Sequence, residues 1–126
     1  MKIKNITIGI QSLKKGLKQF TETVKSIHHG KSPRARHNDV YFTSVEAMRR
    51  ILTPKRLELL HVIREKHPGS IYNLAQTTNR DLKNVQDDVT MLSRIGLISL
   101  SRTKTARNNV VPRVEYDSLQ LHIPVI

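Results

Sequence analysis

Three helix starts and stops in close succession, between residues 53 and 98, constrain the fold of this chain more than any other feature. Thr53 followed by Pro54 is typical of a helix N-cap and its first helical residue. HPGS at residues 67–70 ends the segment, which predicts a first helix over 54–66. Its apolar residues recur at helical spacing and thicken one face: Leu57, Leu59, Leu60, Val62 and Ile63.

Two more helices follow from the same kind of signal. Ser70 can cap a short helix over 71–77, and Asp81 can cap a longer helix over 82–95. Gly96 ends the longer helix, because glycine readily adopts the left-handed conformation that closes helices. With about 100° between successive residues, the apolar side chains of this helix cluster on one side: Leu82, Val85, Val89 and Leu92.

The segment before these helices also begins with a cap signal. Thr43 followed by Glu46 has the spacing of a capping box, in which each side chain bonds the other residue's backbone amide. A further helix is therefore predicted to begin just after Thr43.

After Gly96 the pattern changes to that of β-strands. LISLSR (97–102) and VVPRVEY (110–116) predict a hairpin, and TKTARNN between them predicts a polar, basic tip. A half-buried strand is then predicted over 119–125 from alternating apolar residues, and Pro124 places that strand at a sheet edge.

The N-terminal region predicts a strand and an amphipathic helix. Alternating isoleucines predict a strand over 5–10, a natural partner for the last strand, either within one chain or between two. Residues 12–28 carry one apolar stripe at helical spacing: Leu13, Leu17, Phe20, Val24 and Ile27. The segment 28–39 has a linker composition, and its three histidines lack a carboxylate or thiolate at metal-ligand spacing. We therefore expect an arm over 1–38 and a main domain over 39–126, with no metal and no cofactor.

The charge of the chain favours a polyanionic partner. The sequence has 22 Lys and Arg against 10 Asp and Glu, a net charge of +12. Residues 1–38 alone hold nine Lys and Arg and one Glu, or +8. The chain has no cysteine, which excludes disulfides and suits a cytoplasmic location. We expect no membrane span, because the apolar runs are far shorter than about 18 residues.

The order of helix, short helix, long helix and hairpin carries a family resemblance. LTPKRLELL at the first helix, SIYNLA at the second and GLI after the third resemble the core of MarR-type winged helix-turn-helix regulators. The whole chain is similar to a prokaryotic group of predicted transcriptional regulators. This resemblance implies an α+β fold: a winged helix-turn-helix with an N-terminal strand and amphipathic helix and a C-terminal edge strand.

The resemblance also implies that helix 82–95 enters the major groove of double-stranded DNA and that the hairpin contacts the flanking backbone or the minor groove. Opposite the apolar side of this helix, its first turns present side chains that can bond base edges: Lys83, Asn84, Gln86 and Asp87, with Arg80 just before them. Ser70 and the first amides of helix 71–77 are candidates for a phosphate contact. The hairpin adds a basic set at or near its tip: Arg102, Lys104 and Arg107.

Two functions from different classes compete with a DNA-binding repressor. An enzyme finds no support, since no catalytic residues occur at a useful spacing. A DNA-binding antitoxin, as some regulators of this kind are, could use the basic arm to hold a toxin protein. We expect instead that the arm mainly builds a homodimer, because a twofold pair reads two half-sites about 34 Å apart. The residues expected at a dimer or partner interface are Ile6, Ile8, Leu13, Leu17, Phe20, Val24, Ile27, Leu121 and Ile123.

Two adjacent acids in helix 82–95 test the DNA hypothesis, because acids repel phosphate. Asp88 falls on the flank of the helix, where it can pair with a neighbouring helix or stay solvated. Asp87 falls on the outward face, four residues after Lys83, which it could orient. It could also accept a hydrogen bond from a cytosine amino group, so that this helix discriminates between sequences and the other contacts supply affinity.

Overall fold

A computed structural model describes residues 5–11, 39–102 and 109–125. These residues form four helices and five short strands, which confirms a mixed α+β class. In chain order the elements are β1 (Asn5–Ile10), β2 (Asp39–Phe42), α1 (Val45–Ile51), α2 (Pro54–Lys66), α3 (Ile71–Thr78), α4 (Leu82–Arg94), β3 (Ser99–Arg102), β4 (Val110–Arg113) and β5 (Ser118–His122). The predicted helix over 12–28, the linker up to residue 38 and the hairpin tip at 103–108 lie outside the described residues.

The chain divides into two compact units. One unit, which we call the helical unit, runs from Arg50 to Asp117 and holds α2, α3, α4 and the β3–β4 hairpin. The other, the sheet unit, groups Asn5–Arg49 with Ser118–Ile126 and holds β1, β2 and β5. No helix of the described residues is long and apolar enough to cross a membrane. The predicted division at residue 38 stays a prediction, although β1 pairs with strands from beyond that point.

The sheet unit is a parallel three-stranded sheet in the order β2–β1–β5. The predicted strand over 5–10 is confirmed, as are its pairing with the C-terminal strand and the edge position of that strand. β5 ends at His122 rather than continuing to residue 125. The following Pro124 lacks an amide proton and restricts the residue before it, which explains the early end. β2 was not predicted, because DVYF is too short to show a period and adjoins a linker composition.

Gly9 in β1 faces the aromatic ring of Tyr41 in β2, its register partner. A Cβ atom built on Gly9 would lie 2.8 Å from ring atoms of Tyr41, closer than side chains approach one another. The glycine therefore lets an aromatic ring lie across the backbone of the central strand.

The predicted caps of the three helices in the helical unit are confirmed. Each cap side chain accepts a hydrogen bond from an amide three residues later: Thr53 from Arg56 at 3.2 Å, Ser70 from Asn73 at 2.9 Å and Asp81 from Asn84 at 3.3 Å. These bonds satisfy amides that have no partner inside the helix. They fix where α2, α3 and α4 begin.

The predicted capping box at Thr43 is wrong. Ser44 is the cap of α1, since its hydroxyl oxygen accepts a hydrogen bond from the amide of Ala47 at 3.1 Å. Both residues are good caps, and the sequence pattern alone does not distinguish two adjacent candidates.

The core of the helical unit is built from the apolar face of α4 and its neighbours. Val85, Val89 and Leu92 have no exposed surface, and neither does Leu74 of α3. Two predicted core residues lie outside this core, because Leu57 and Leu82 are 41% and 36% exposed. Both lie in the first turn or so of their helices, where the flank is less covered than the middle.

Gly96 turns the chain from α4 into the hairpin, as predicted, with a positive φ of 90°. The amides of Leu97 and Ile98 then donate to the carbonyl of Leu92, at 2.9 and 3.3 Å. At the far end of the hairpin segment, the hydroxyl of Tyr116 donates to the buried carbonyl of Leu97 at 2.8 Å. The two ends of the segment are therefore tied together directly after α4.

The hairpin itself is antiparallel, and its strands are shorter than predicted. β3 covers only 99–102, because Leu97 and Ile98 are buried in the core before the strand begins. β4 covers only 110–113 and contains Pro112, whose side chain is fully buried. A proline is tolerated in this two-stranded ribbon because only one side of each strand must pair.

Candidate nucleic-acid interface

The outward face of α4 carries the largest group of predicted DNA contacts. All four of its predicted base-contacting side chains are exposed: Lys83, Asn84, Gln86 and Asp87. They lie in the first two turns of the helix, while Val85 and Val89 hold its opposite side in the core. The arrangement presents one ammonium, two amides and one carboxylate from a helix whose back is fully packed, so these groups are well placed to hydrogen-bond an external partner.

Asp87 does not orient Lys83, which was one of the two roles considered for it. Between these two described residues the structure contains neither a hydrogen bond nor an ion pair. At four residues apart on an exposed face, such a pair is worth only about 0.3–0.5 kcal/mol, which explains why it need not form. Both side chains are left to interact with solvent or with a partner.

Asp88 is part of an internal ion cluster, which we call the Asp88 cluster: Asp88, Arg56 and Arg80. Its Oδ1 accepts from Nε of Arg56 at 3.0 Å, and its Oδ2 accepts from Nη2 of Arg80 at 2.8 Å. The side chain of Asp88 is 14% exposed and each arginine is 20% exposed. Of the two alternatives for Asp88, pairing with a neighbouring helix or solvation, the structure shows the pairing, since Arg56 belongs to α2.

Arg56 extends the Asp88 cluster to the end of α1. Its Nη1 donates to the carbonyl oxygens of Arg50 and Ile51, at 3.2 and 3.0 Å. A cation at a helix C-terminus is favourable, because the last carbonyls have no partner within the helix. One guanidinium thus connects the end of α1 and the beginning of α2 to the middle of α4.

Arg80 lies in this cluster and is not free for a base contact. One terminal nitrogen is bonded to Asp88, and the other, Nη1, is buried without a hydrogen-bond partner within the described residues. Releasing the side chain toward DNA would leave Asp88 with one partner fewer in a poorly solvated position. We therefore remove Arg80 from the predicted DNA-reading set and assign it to positioning α4.

The start of α3 offers a second polar surface. The hydroxyl oxygen of Ser70 accepts a hydrogen bond from the amide of Asn73. The hydroxyl proton can still be donated to a ligand. Tyr72 is 60% exposed, and its hydroxyl oxygen accepts from Nε2 of Gln76 at 3.2 Å. These hydroxyls and the first amides of α3 are donors of the kind that phosphate oxygens accept.

The described part of the hairpin adds two arginines. Arg102 is exposed at the end of β3, as predicted, while Lys104 and Arg107 lie outside the described residues. Arg113 of β4 is also exposed, and its Nε donates to the hydroxyl oxygen of Ser101 at 3.2 Å. Sequence reasoning missed Arg113 because it considered only the tip. The register that pairs Arg113 with Ser99 shows that it lies on the same ribbon.

A cavity of about 400 Å³ lies beside β4, between the end of α2 and the bend at 67–69. Its lining includes the buried side chains of Ile63 and Pro112. Arg64 at its rim donates to the carbonyl of Val114 at 3.2 Å and to Asp117 at 2.6 Å. These two bonds hold the chain that leaves β4 against the end of α2.

The predicted interface residues separate into buried, exposed and undescribed ones. Ile6 and Ile8 are buried within the sheet unit, at 8% and 2% exposure. Leu121 and Ile123 are exposed, at 55% and 43%. The five residues of the predicted arm stripe, from Leu13 to Ile27, lie outside the described residues. In the described part of the chain there is no group of three or more His, Cys, Asp or Glu that could hold a metal ion.

Comparison with known proteins places this surface within a family. The HVO_A0114 family model matches residues 51–121, more than half of the chain. The matched segment runs from the end of α1 through α4 and the hairpin into β5, and so includes the exposed face of α4 and all three residues of the Asp88 cluster. No curated protein matches the chain.

Proposed function

The chain belongs to the HVO_A0114 family, and we propose that it is a sequence-specific, double-stranded-DNA-binding transcriptional regulator, acting as a dimeric repressor. In this proposal the helical unit is a winged helix-turn-helix, in which α3 and α4 are the helix-turn-helix and the β3–β4 hairpin is the wing. The observation that carries the proposal is the exposed polar face of α4. The opposite face of this helix is packed in the core, and the Asp88 cluster bonds the helix to α2.

The side chains of α4 fit base recognition by their chemistry. Lys83 can donate to the acceptors of guanine, and Asn84 and Gln86 can each form a pair of hydrogen bonds with adenine. All three lie within the first turns, the part of a recognition helix that contacts base edges in helix-turn-helix proteins. A helix with a firmly packed back limits the rotational freedom that would otherwise blur such contacts.

Asp87 acts in this proposal against indiscriminate binding. It can accept from the amino group of cytosine, and it repels phosphate when the helix lies on a wrong sequence. The affinity then comes from other groups: the donors at the start of α3, Arg102 and Arg113 of the hairpin, and the +8 charge of residues 1–38.

A dimer follows from the size of the reading surface. One α4 helix spans only a few base pairs, whereas a twofold pair reads two half-sites about one DNA turn apart.

The net charge of +12 predicts that DNA binding depends strongly on salt concentration. If six to ten phosphates are neutralised, affinity should fall about 10³–10⁵-fold between about 50 and 200 mM salt.

The second candidate, a DNA-binding antitoxin, rests on the concentration of charge in residues 1–38. It predicts that a gene adjacent to this one encodes a small protein with an acidic surface that binds the arm. Co-purification of the two neighbouring gene products would favour it over a stand-alone repressor if it is lost when the lysines and arginines of residues 12–38 are replaced by glutamine, a change that keeps the central strand β1.

The direct test is selection of bound duplexes from a random pool, followed by a comparison of variants on the selected site. Lys83→Ala combined with Asn84→Ala should abolish the preference for that site over random DNA while the thermal melt stays that of the wild type. Lys55→Ala removes the same charge from an exposed position of α2 and should keep the preference. An unchanged footprint in the double variant would contradict a reading role for α4.

A further inference from the structure

The outer edge of β5 is a row of backbone groups with no strand beside it in the part of the chain that the structure describes. β5 pairs on its inner side with β1 in parallel register, from Asn5↔Ser118 to Gly9↔His122. The sheet order β2–β1–β5 then leaves the other side of β5 open. An open edge of this kind can pair with another strand, and proteins commonly protect it with charged residues.

The apolar face of the sheet continues onto this open edge. Partners in a parallel register share a face, so Ile6 and Ile8 lie on the same face as Leu119 and Leu121. Coverage of this face decreases toward the edge: Ile8 is 2% exposed, whereas Leu121, its partner, is 55% exposed. Among residues 5–11, 39–102 and 109–125, this face therefore has apolar surface without cover at the edge where the backbone also has no strand partner.

The charge distribution decides what kind of strand this edge can accept. Residues 118–126 contain no Lys, Arg, Asp or Glu, in a chain whose net charge is +12. Two copies of the chain repel each other over most of their surface, and this segment is a place where they can meet without opposing like charges. A charged partner would form no ion pair with this segment. A second copy of the same segment is also uncharged and has the same alternation of apolar residues.

We propose that β5 pairs with β5 of a second copy, antiparallel and about a twofold axis, so that two three-stranded sheets become one sheet of six strands. The inference gives the dimer of the proposed function its interface, and it rests on that function for the need for two copies. The open edge and the apolar face of β5 do not depend on DNA.

The geometry of full overlap fixes the register. With the twofold axis through Gln120, Ser118 of one copy lies opposite His122 of the other, and Leu119 lies opposite Leu121. An axis perpendicular to the sheet keeps the apolar faces of both copies on the same side. The four leucines then cover one another, and the polar side chains, including Gln120, meet on the other face. The register ends before Pro124, which lacks an amide to donate.

The absence of cysteine from the chain permits a clean cross-linking test. Gln120 lies opposite itself, with the two Cα atoms about 4.5–5.5 Å apart, which a disulfide can span. Full-length Gln120→Cys should therefore form a covalent dimer rapidly under mild oxidation in dilute solution. His122→Cys is the matched control on the same face, because its two copies would be about 13 Å apart along the strands. Cross-linking of Gln120→Cys that is no faster than that of His122→Cys would overturn the register.

Light scattering tests the interface without any new bond. The wild type should have twice the mass of one chain at micromolar concentration, and Leu121→Glu should be monomeric with an unchanged circular dichroism spectrum. Leu100→Glu is the control, since Leu100 is similarly exposed at 44% but lies in the other unit; this variant should stay dimeric. A monomeric wild type, or a Leu121→Glu variant that remains a dimer, would overturn the inference.

Both measurements are made in the absence of DNA, so their failure differs from failure of the proposed function. A β5-linked dimer that selects no DNA would contradict the function and support the interface. A monomer that still selects a half-site would contradict the interface and the dimeric form of the repressor, and would support the reading role of α4.

Discussion

Replacement of Asp88 by asparagine tests whether the Asp88 cluster holds α4 in position. Asp88→Asn keeps the size of the side chain and one acceptor oxygen, but it removes the charge that faces Arg56 and Arg80. The change also turns an amide donor toward one of the two guanidinium groups, at a position where the present N–O distances are 3.0 and 2.8 Å. Two positive charges are then left close together without a counter-ion.

The size of the effect follows from distance and burial. At an effective dielectric constant of about 20, one pair of charges about 4 Å apart interacts by about 4 kcal/mol before desolvation is subtracted. Removing one partner of a fully buried ion pair costs about 3–5 kcal/mol, and of an exposed pair about 0–1 kcal/mol. Asp88 is 14% exposed and its partners 20%, closer to the buried case. We therefore expect a loss of about 2–4 kcal/mol of unfolding free energy, and a melting temperature lower by roughly 10 °C.

Urea unfolding monitored by circular dichroism measures this loss, and the chain provides a neighbouring control. Asp87→Asn makes the same chemical change at an exposed position with no ion pair to Lys83, and it should change stability by less than about 0.5 kcal/mol. Arg56→Ala should cost more than Arg80→Ala, because Arg56 also bonds the carbonyls of Arg50 and Ile51. An Asp88→Asn variant as stable as Asp87→Asn would refute the positioning role.

Three further changes probe other parts of the fold. Burial raises the pKa of the Tyr116 hydroxyl above its ordinary value of 10.0. The contribution of this residue to the free energy of unfolding is therefore fully present below about pH 10 and decreases as the pH rises further. Tyr116→Phe should lose about 1–3 kcal/mol at neutral pH, because the Leu97 carbonyl stays buried, and should show a shallower alkaline loss in denaturant melts. Gly9→Ala should cost about 1 kcal/mol and recover when Tyr41 is also changed to alanine, whereas Gly69→Ala, with no atom within 4 Å of the added carbon, should be near neutral. His67 has a φ of 48°, so His67→Gly should raise the unfolding free energy by roughly 1 kcal/mol, seen as a higher melting temperature.

The helices could be predicted because their boundaries are encoded locally. Thr53, Ser70 and Asp81 each bond an amide only three residues away, and Gly96, with its positive φ, lies just after the end of α4. No residue of β5 is buried, so the prediction of a half-buried C-terminal strand is wrong in its burial. The alternation in β1, in contrast, correctly predicts that Ile6 and Ile8 are buried. Such features depend on a few neighbouring residues, and they suffice to order the elements of the chain.

The Asp88 cluster was only partly predictable, because its members are far apart in sequence. The position of Asp88 on the flank of α4 indicates a partner in a neighbouring helix, but it does not identify Arg56, 32 residues earlier. Arg80 is adjacent to α4 and looks available to DNA until its distance to Asp88 is known. The same limit explains the missed β2 strand, whose pairing with β1 is made across the long segment between them.

The exposed residues of α4 could be predicted from the helical period, since burial of one face fixes the opposite one. Their chemistry follows from residue type alone. The orientation of these side chains does not follow from the sequence. It depends on the Asp88 cluster and on the hydrogen bond from Tyr116 to the carbonyl of Leu97 at the base of the hairpin.

In the proposed function, the first turns of α4 read a DNA sequence. Binding of the wild type and of the combined Lys83→Ala and Asn84→Ala variant should be measured on the selected duplex and on a scrambled duplex, at one fixed salt concentration. We predict that the wild type prefers the selected duplex by at least about 10³-fold, and that the double variant binds both duplexes with nearly equal, weak affinity. Equal affinity of the wild type for the two duplexes, or an undiminished preference in the double variant, would contradict the account.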